Sequence, residues 1–171
     1  VALAMRPYDG YFYNLGRETF LTPVRWEEAW PVVSPGNGRI EFEHPAPTLP
    51  EHPWPEAPDC DHFETEALAD VWNFLRTPRE TFWDLTSRPG TLRLALRPER
   101  LSERVNPSFV GRRQQHPRFV SHVAVDVDPR TEHECAGLAL LQNDDFHFRF
   151  VCTLGEGGRR VVRLIRRMKG Q

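Results

Sequence analysis

A chain of 171 residues with 22 basic and 24 acidic side chains has a formal charge of −2, so it carries no electrostatic footprint for nucleic acid or for an anionic membrane. No apolar run approaches the ~18–20 residues needed to span a bilayer, and Val1-Ala2-Leu3-Ala4-Met5 is too short for the core of a signal peptide. Sixteen prolines, eleven glycines and 11% aromatics point to short strands joined by turns, an all-β chain.

Residues 1–33 hold two predicted strands, Val1 to Met5 and Arg17 to Trp26. The cluster Ser34-Pro35-Gly36-Asn37-Gly38 is a turn signal. Between His44 and Pro58 six prolines follow, an extended, polyproline-like composition that makes 34–58 a linker. From 59 to 171 the pattern is that of an antiparallel sandwich. Its one helical expectation is a turn or two over Pro78–Trp83, with Thr77 as N-cap. Thr91–Arg97 alternates, with Leu92, Leu94 and Leu96 on one face. Phe119, Ser121, Val123, Val125 and Val127 share another face, opposite Val120, His122, Ala124, Asp126 and Asp128. Cys135–Gln142 and Phe146–Cys152 are strands separated by the turn Asn143-Asp144-Asp145. Gly155-Glu156-Gly157-Gly158 reads as a hairpin connection, and the basic run Arg159–Lys169 as a strand with a wet face.

Most familiar chemistries find no support. Cys60, Cys135 and Cys152 are odd in number and widely spaced, which argues against a disulfide framework or a zinc knuckle and towards reduced thiols and a cytoplasmic setting. None of the seven histidines has metal-ligand spacing; His44 and His52 lie among prolines and His116 precedes one. The acidic pairs Glu27/Glu28 and Asp144/Asp145 are adjacent, so on a strand they point to opposite faces. Asp126 and Asp128 share a face, the expected solvent face. No Gly-rich loop opens a helix, and there is no nucleophile elbow. Trp26, Trp30, Trp54, Trp72 and Trp83 could stack on sugar rings, but core or interface packing explains most of them more simply.

Two runs remain: Leu15-Gly16-Arg17-Glu18-Thr19-Phe20-Leu21, and Asn106-Pro107-Ser108-Phe109-Val110-Gly111-Arg112-Arg113-Gln114-Gln115-His116. Together they make the chain resemble the bacterial β-xylosidases of glycoside hydrolase family 43. The resemblance implies a remnant of the last blade of a five-bladed β-propeller (1–33), the Pro-rich linker, and part of a concanavalin A-like antiparallel β-sandwich (59–171). It implies a parent that removes xylose from xylo-oligosaccharides with inversion, using carboxylates roughly 6.5–9.5 Å apart. Those carboxylates would lie upstream of the Gly-Arg-Glu-Thr run, on a catalytic propeller outside this chain. The chain alone is therefore expected to be inactive and to contain no catalytic residue. A cation such as calcium at the propeller centre would also be held outside it, and no cofactor or metal site is expected within it.

By the same resemblance Arg17 lines the sugar pocket, where a planar guanidinium can grip hydroxyls; the competing readings are an ion pair with Glu18 or Glu28 and a solvated strand residue. Phe109, Arg112, Arg113, Gln114, Gln115 and His116 are expected at the interface with the propeller. The expected partners are that propeller and a xylo-oligosaccharide, with self-association through uncovered apolar groups, and neither nucleic acid nor membrane. The alternative is a non-catalytic, carbohydrate-binding β-sandwich module.

Overall fold

The structure is a computed structural model that describes residues 1–56 and 58–169. The chain divides into two compact units, Val1–Asp59 with Gln114–Phe119, and Cys60–Arg113 with Val120–Gln171.

In the first unit β1 (Ala2–Met5) pairs antiparallel with β2 (Arg17–Phe20), placing Ala2 opposite Phe20 and Met5 opposite Arg17. The connection turns at Asp9 and Gly10, with φ of 49° and 79°, and the Tyr11 amide donates to the Tyr8 carbonyl at 3.3 Å. Positive φ at both central residues is what an Asp-Gly pair supplies most easily. The single strand expected over Arg17 to Trp26 is instead two. It breaks at Thr22-Pro23, where proline has no N–H to give to a ladder, and the chain resumes as β3 (Val24–Glu27) paired with β4 (Trp30–Val33). The two-residue turn of this second hairpin is Glu28-Ala29, both left-handed at φ 47° and 67° although neither is glycine. A further turn follows, closed by the Gly38 amide on the Ser34 carbonyl at 3.1 Å. Residues 39–56 contain no strand, as their prolines dictate.

The second unit holds two short ladders and one meander. β5 (Asn73–Phe74) pairs with β8 (Val110–Gly111), and β6 (Trp83–Asp84) pairs with β7 (Arg93–Leu94). β9 (Cys135–Asn143), β10 (Phe146–Leu154) and β11 (Arg160–Met168) form an antiparallel sheet with β10 in the middle. The Asn143-Asp144-Asp145 turn is an Asx turn, Asn143 Oδ1 accepting the Asp145 and Phe146 amides at 2.9 and 3.0 Å. The 3₁₀ turn Glu156–Gly158 between β10 and β11 is the only helical element among the described residues.

Three local expectations are corrected. Pro78–Trp83 is not helical: Phe82 and Trp83 lock into an aromatic cluster with Phe74, ring centroids 4.4–5.6 Å apart, that needs extended backbone. Thr91–Arg97 keeps only Arg93–Leu94 as strand. Phe119–Asp128 has no strand, and Val120, Val123 and Val125 are exposed. Alternation makes a backbone ready to be a strand, but a strand also needs a partner for its N–H and C=O groups.

The two faces of the meander differ. His147, Val151 and Thr153 of β10 are buried, with half-buried Leu141 and Ile165 across the register. The other face carries Phe148 (44% exposed), Phe150 (56%), Leu140, Val162 and Leu164 (70%), an apolar surface open to solvent.

Candidate functional site

Gly16 enters β2 at φ 73°, with its amide on the Tyr13 carbonyl at 2.8 Å, and delivers Arg17 as the first residue of the strand. Along β2 exposure alternates: Arg17 and Thr19 are open, Glu18 and Phe20 half-buried. The Arg17 side chain makes no hydrogen bond or ion pair among the described residues and stands in solvent, so the ion pair with Glu18 or Glu28 does not form. Glu18 is taken by Arg6, whose Nε donates to Oε2 at 3.2 Å and Nη2 to Oε1 at 3.0 Å. The same Nη2 donates to the Gln115 carbonyl at 3.0 Å.

The run Asn106–His116 starts as a stitched loop. Asn106 Nδ2 donates to the carbonyls of Leu75 (3.0 Å) and Arg76 (3.3 Å). Arg97 donates through Nη2 to the Asn106 carbonyl at 2.5 Å and through Nε to Ser108 Oγ at 3.0 Å. Phe109 then lies over Gly111, two residues on and so on the same side of the strand; a Cβ at 111 would meet the ring at 2.6 Å. Only glycine leaves the ring that place.

Arg112 sits over the Trp72 ring, 5.6 Å from its centroid. The Trp72 indole donates to Asp61 Oδ2 at 2.6 Å, and this bond first, then the Phe63 amide, holds the Asp61 carboxyl below its usual range. Arg113, Gln114, Gln115 and His116 are exposed. Gln114 Nε2 turns back to the His116 carbonyl at 2.8 Å, and Gln115 contributes its backbone carbonyl to Arg6. Just beyond, the Arg118 guanidinium lies 5.7 Å from the Tyr8 ring centroid and reaches its hydroxyl at 3.4 Å.

Arg6 and Arg97 are the organisers that sequence reasoning missed. Arg97 falls in an alternating segment and reads there as a solvent-facing residue; the nearby Asn-Pro-Ser of the motif, rich in acceptors, is its one local signal. Arg6 carries no such signal, since its partners lie 12 and 109 residues away.

The acidic pairs are spread apart by basic partners. Asp126 pairs with Arg88 and Asp128 with Arg160, each at 2.8 Å; Arg76 Nη2 reaches both oxygens of Asp144 at 2.7 Å; Asp145 lies 3.8 Å from Arg167, and Glu27 holds Arg25. The two carboxyls with displaced titration, Asp61 and Asp84, both move down, the direction opposite to that a general acid requires. Among the described residues no three His, Cys, Asp or Glu side chains converge to hold a metal, and no helix is long and apolar enough to cross a membrane.

Residues 60–171 match the family model of the β-xylosidase C-terminal concanavalin A-like domain. A non-reducing end α-L-arabinofuranosidase of Bacteroides ovatus is 38% identical over 170 residues, 99% of this chain and 32% of that protein. A xylosidase/arabinosidase of Butyrivibrio fibrisolvens is 40% identical over 154 residues, 88% of this chain and 29% of that protein. Among solved structures, the xylan β-1,4-xylosidase of Bacillus halodurans superposes with a TM-score of 0.85 at 31% identity, over 98% of this chain and 32% of that one. The chain thus spans about a third of the length of the relatives it matches.

Proposed function

From a chain that belongs to glycoside hydrolase family 43 through its β-xylosidase C-terminal concanavalin A-like domain, we propose that it serves as the non-catalytic portion of an inverting exo-glycosidase. In this reading residues 1–33 complete the last blade of a catalytic propeller, 34–58 link it, and 59–171 form the sandwich part that packs on that propeller. The substrate is a xylo-oligosaccharide, with arabinofuranosides a secondary one. The observation that carries the reading is similarity along 99% of the chain to a protein three times its length.

Arg17 then grips the terminal sugar. Its support is an exposed guanidinium with no protein partner among the described residues, on a strand whose other face is anchored. Phe109 and Arg112–His116 form the surface that meets the propeller; five of them, Arg112 to His116, are exposed. The unpaired edges Phe119–Asp128 and β11 are completed by strands elsewhere in the same polypeptide, and three free cysteines support a reducing compartment. Any cation at the propeller centre is held outside this chain.

The test is hydrolysis of an aryl β-xyloside by the chain alone and by the chain fused in frame behind a family 43 propeller. Turnover is expected only from the fusion, since without a positioned acid and base several powers of ten in rate are lost. Turnover by the chain alone, abolished by a substitution within it, would overturn the proposal. A second reading, a carbohydrate-binding module, is favoured by the exposure of Trp26, Trp30 and Trp54. It requires tryptophan fluorescence of a monodisperse monomer to titrate saturably with xylohexaose.

A further inference from the structure

We infer that Arg6 is a positioning residue for Arg17, fixing the sugar-gripping strand and the Gln114–Phe119 segment with one guanidinium; the inference rests on the sugar-binding reading of Arg17. Arg6 follows Met5 directly, and Met5 is the register partner of Arg17, so Arg6 stands level with the start of β2. Its Nε and Nη2 meet the two Glu18 oxygens at 3.2 and 3.0 Å, fork against carboxylate, with the two side chains only 32% and 28% exposed. Glu18 and Arg17 are consecutive on a strand and leave it on opposite faces. The clamp therefore fixes the roll of β2 from behind and occupies none of the face that Arg17 presents.

The same Nη2 also holds the Gln115 carbonyl at 3.0 Å, near the end of the Asn106–His116 run. Both motifs singled out in the sequence thus end on one side chain that belongs to neither. A lysine could keep a point charge near Glu18, but it could not hold two carboxylate oxygens and a carbonyl with a rigid fork.

The test is a double-mutant cycle in the propeller fusion, with kcat and KM measured on an aryl β-xyloside. Arg6→Ala is expected to lower kcat/KM roughly 10–100-fold, the scale of a charge-assisted hydrogen bond to substrate, and Arg6→Lys to recover only part of it. In an Arg17→Ala background, Arg6→Ala should cost less than about twofold more, because it acts through a group already removed. Independent, additive losses would mark Arg6 as merely structural and overturn the inference, as would full activity of Arg6→Ala where Arg17→Ala is impaired. Unchanged kinetics of Arg17→Ala would instead sink the sugar-binding reading, and the coupling with it. In the 171-residue chain itself, hydrogen exchange reads the clamp without activity. Amides of the β1–β2 segment, paired from Ala2↔Phe20 to Met5↔Arg17, should exchange faster in Arg6→Ala and in Glu18→Gln, with the β10–β11 ladder unchanged as the control for folding. Unaltered protection of that segment overturns the clamp.

Discussion

Arg97 stacks its guanidinium 4.5 Å from the centroid of the Phe82 ring, one of the few buried side chains in the chain. With its face on the ring, its edge serves the Asn106 carbonyl, Ser108 Oγ and Glu80 Oε1, and its side chain is 13% exposed. A small aromatic core and the Asn-Pro-Ser loop thus share one residue. Arg97→Lys should destabilise by about 2 kcal/mol through loss of the stack and the fork. Arg97→Ala should cost about 3 kcal/mol, since it also leaves the half-buried acceptors of Asn106 and Ser108 unpaired. Glu80→Ala should change little, its own side chain being mostly exposed. Urea denaturation of the three variants checks the order.

Gly137 lies opposite Val151, where an added Cβ would come 2.1 Å from the Phe150 carbonyl oxygen and 2.8 Å from Val151 Cα. The obstacle is backbone on the central strand, which cannot swing aside as a side chain would. Gly137→Ala is expected to cost at least about 2 kcal/mol and to loosen β9 from β10. Hydrogen exchange along β9 should show the loss first at Ala136 to Leu138; unchanged protection would refute the close approach.

The Glu28-Ala29 turn has two L residues in the left-handed region, each at a cost of ~1–2 kcal/mol. Ala29→Gly should stabilise the second hairpin by roughly 0.5–1 kcal/mol after the added freedom of the unfolded chain is subtracted. Trp26 and Trp30 flank the turn, so their fluorescence during urea titration reports the change directly.

Acid sensitivity is centred on Asp84. Hydrogen bonds from Ser87 foremost, then the Thr86 amide at 2.8 Å and hydroxyl at 2.9 Å, hold its carboxyl far below the ordinary 3.8. A lowered folded-state value contributes stability that is complete above pH ~4 and is lost as pH falls towards that value. Asp61, lowered chiefly by the Trp72 indole, acts in the same direction. Asp84→Asn should therefore flatten the acid limb of the stability profile, with wild type and variant converging at low pH. Parallel curves from pH 7 to pH 2 would refute this.

The meander was readable because its information is local: alternation in Cys135–Leu154, an Asx turn at Asn143, and glycines at the second connection. Phe119–Asp128 has equally clean alternation yet forms no ladder, because pairing depends on a neighbour that alternation does not specify. Pro78–Trp83 has helix-start chemistry, but the stacking of Phe82 and Trp83 on Phe74 overrides it. At the candidate site, the Gly-Arg-Glu-Thr motif singles out Arg17, which lies exposed at the start of β2. The side chain that anchors its strand was not legible, because an arginine finding a carbonyl 109 residues away leaves no spacing to read.

Cys135 and Cys152 lie one register step apart but on opposite faces: Cys135 pairs with Thr153 on the covered side, and Cys152 with Ala136 on the open one. Such an arrangement forbids a disulfide between them and gives the sheet two chemical reporters that read independently. With Cys60 replaced by serine, a maleimide pulse should tag Cys152 first. Whatever later settles over Phe148, Phe150 and Leu164 will announce itself by silencing that one thiol, while the labelling rate at Cys135 stays where it was.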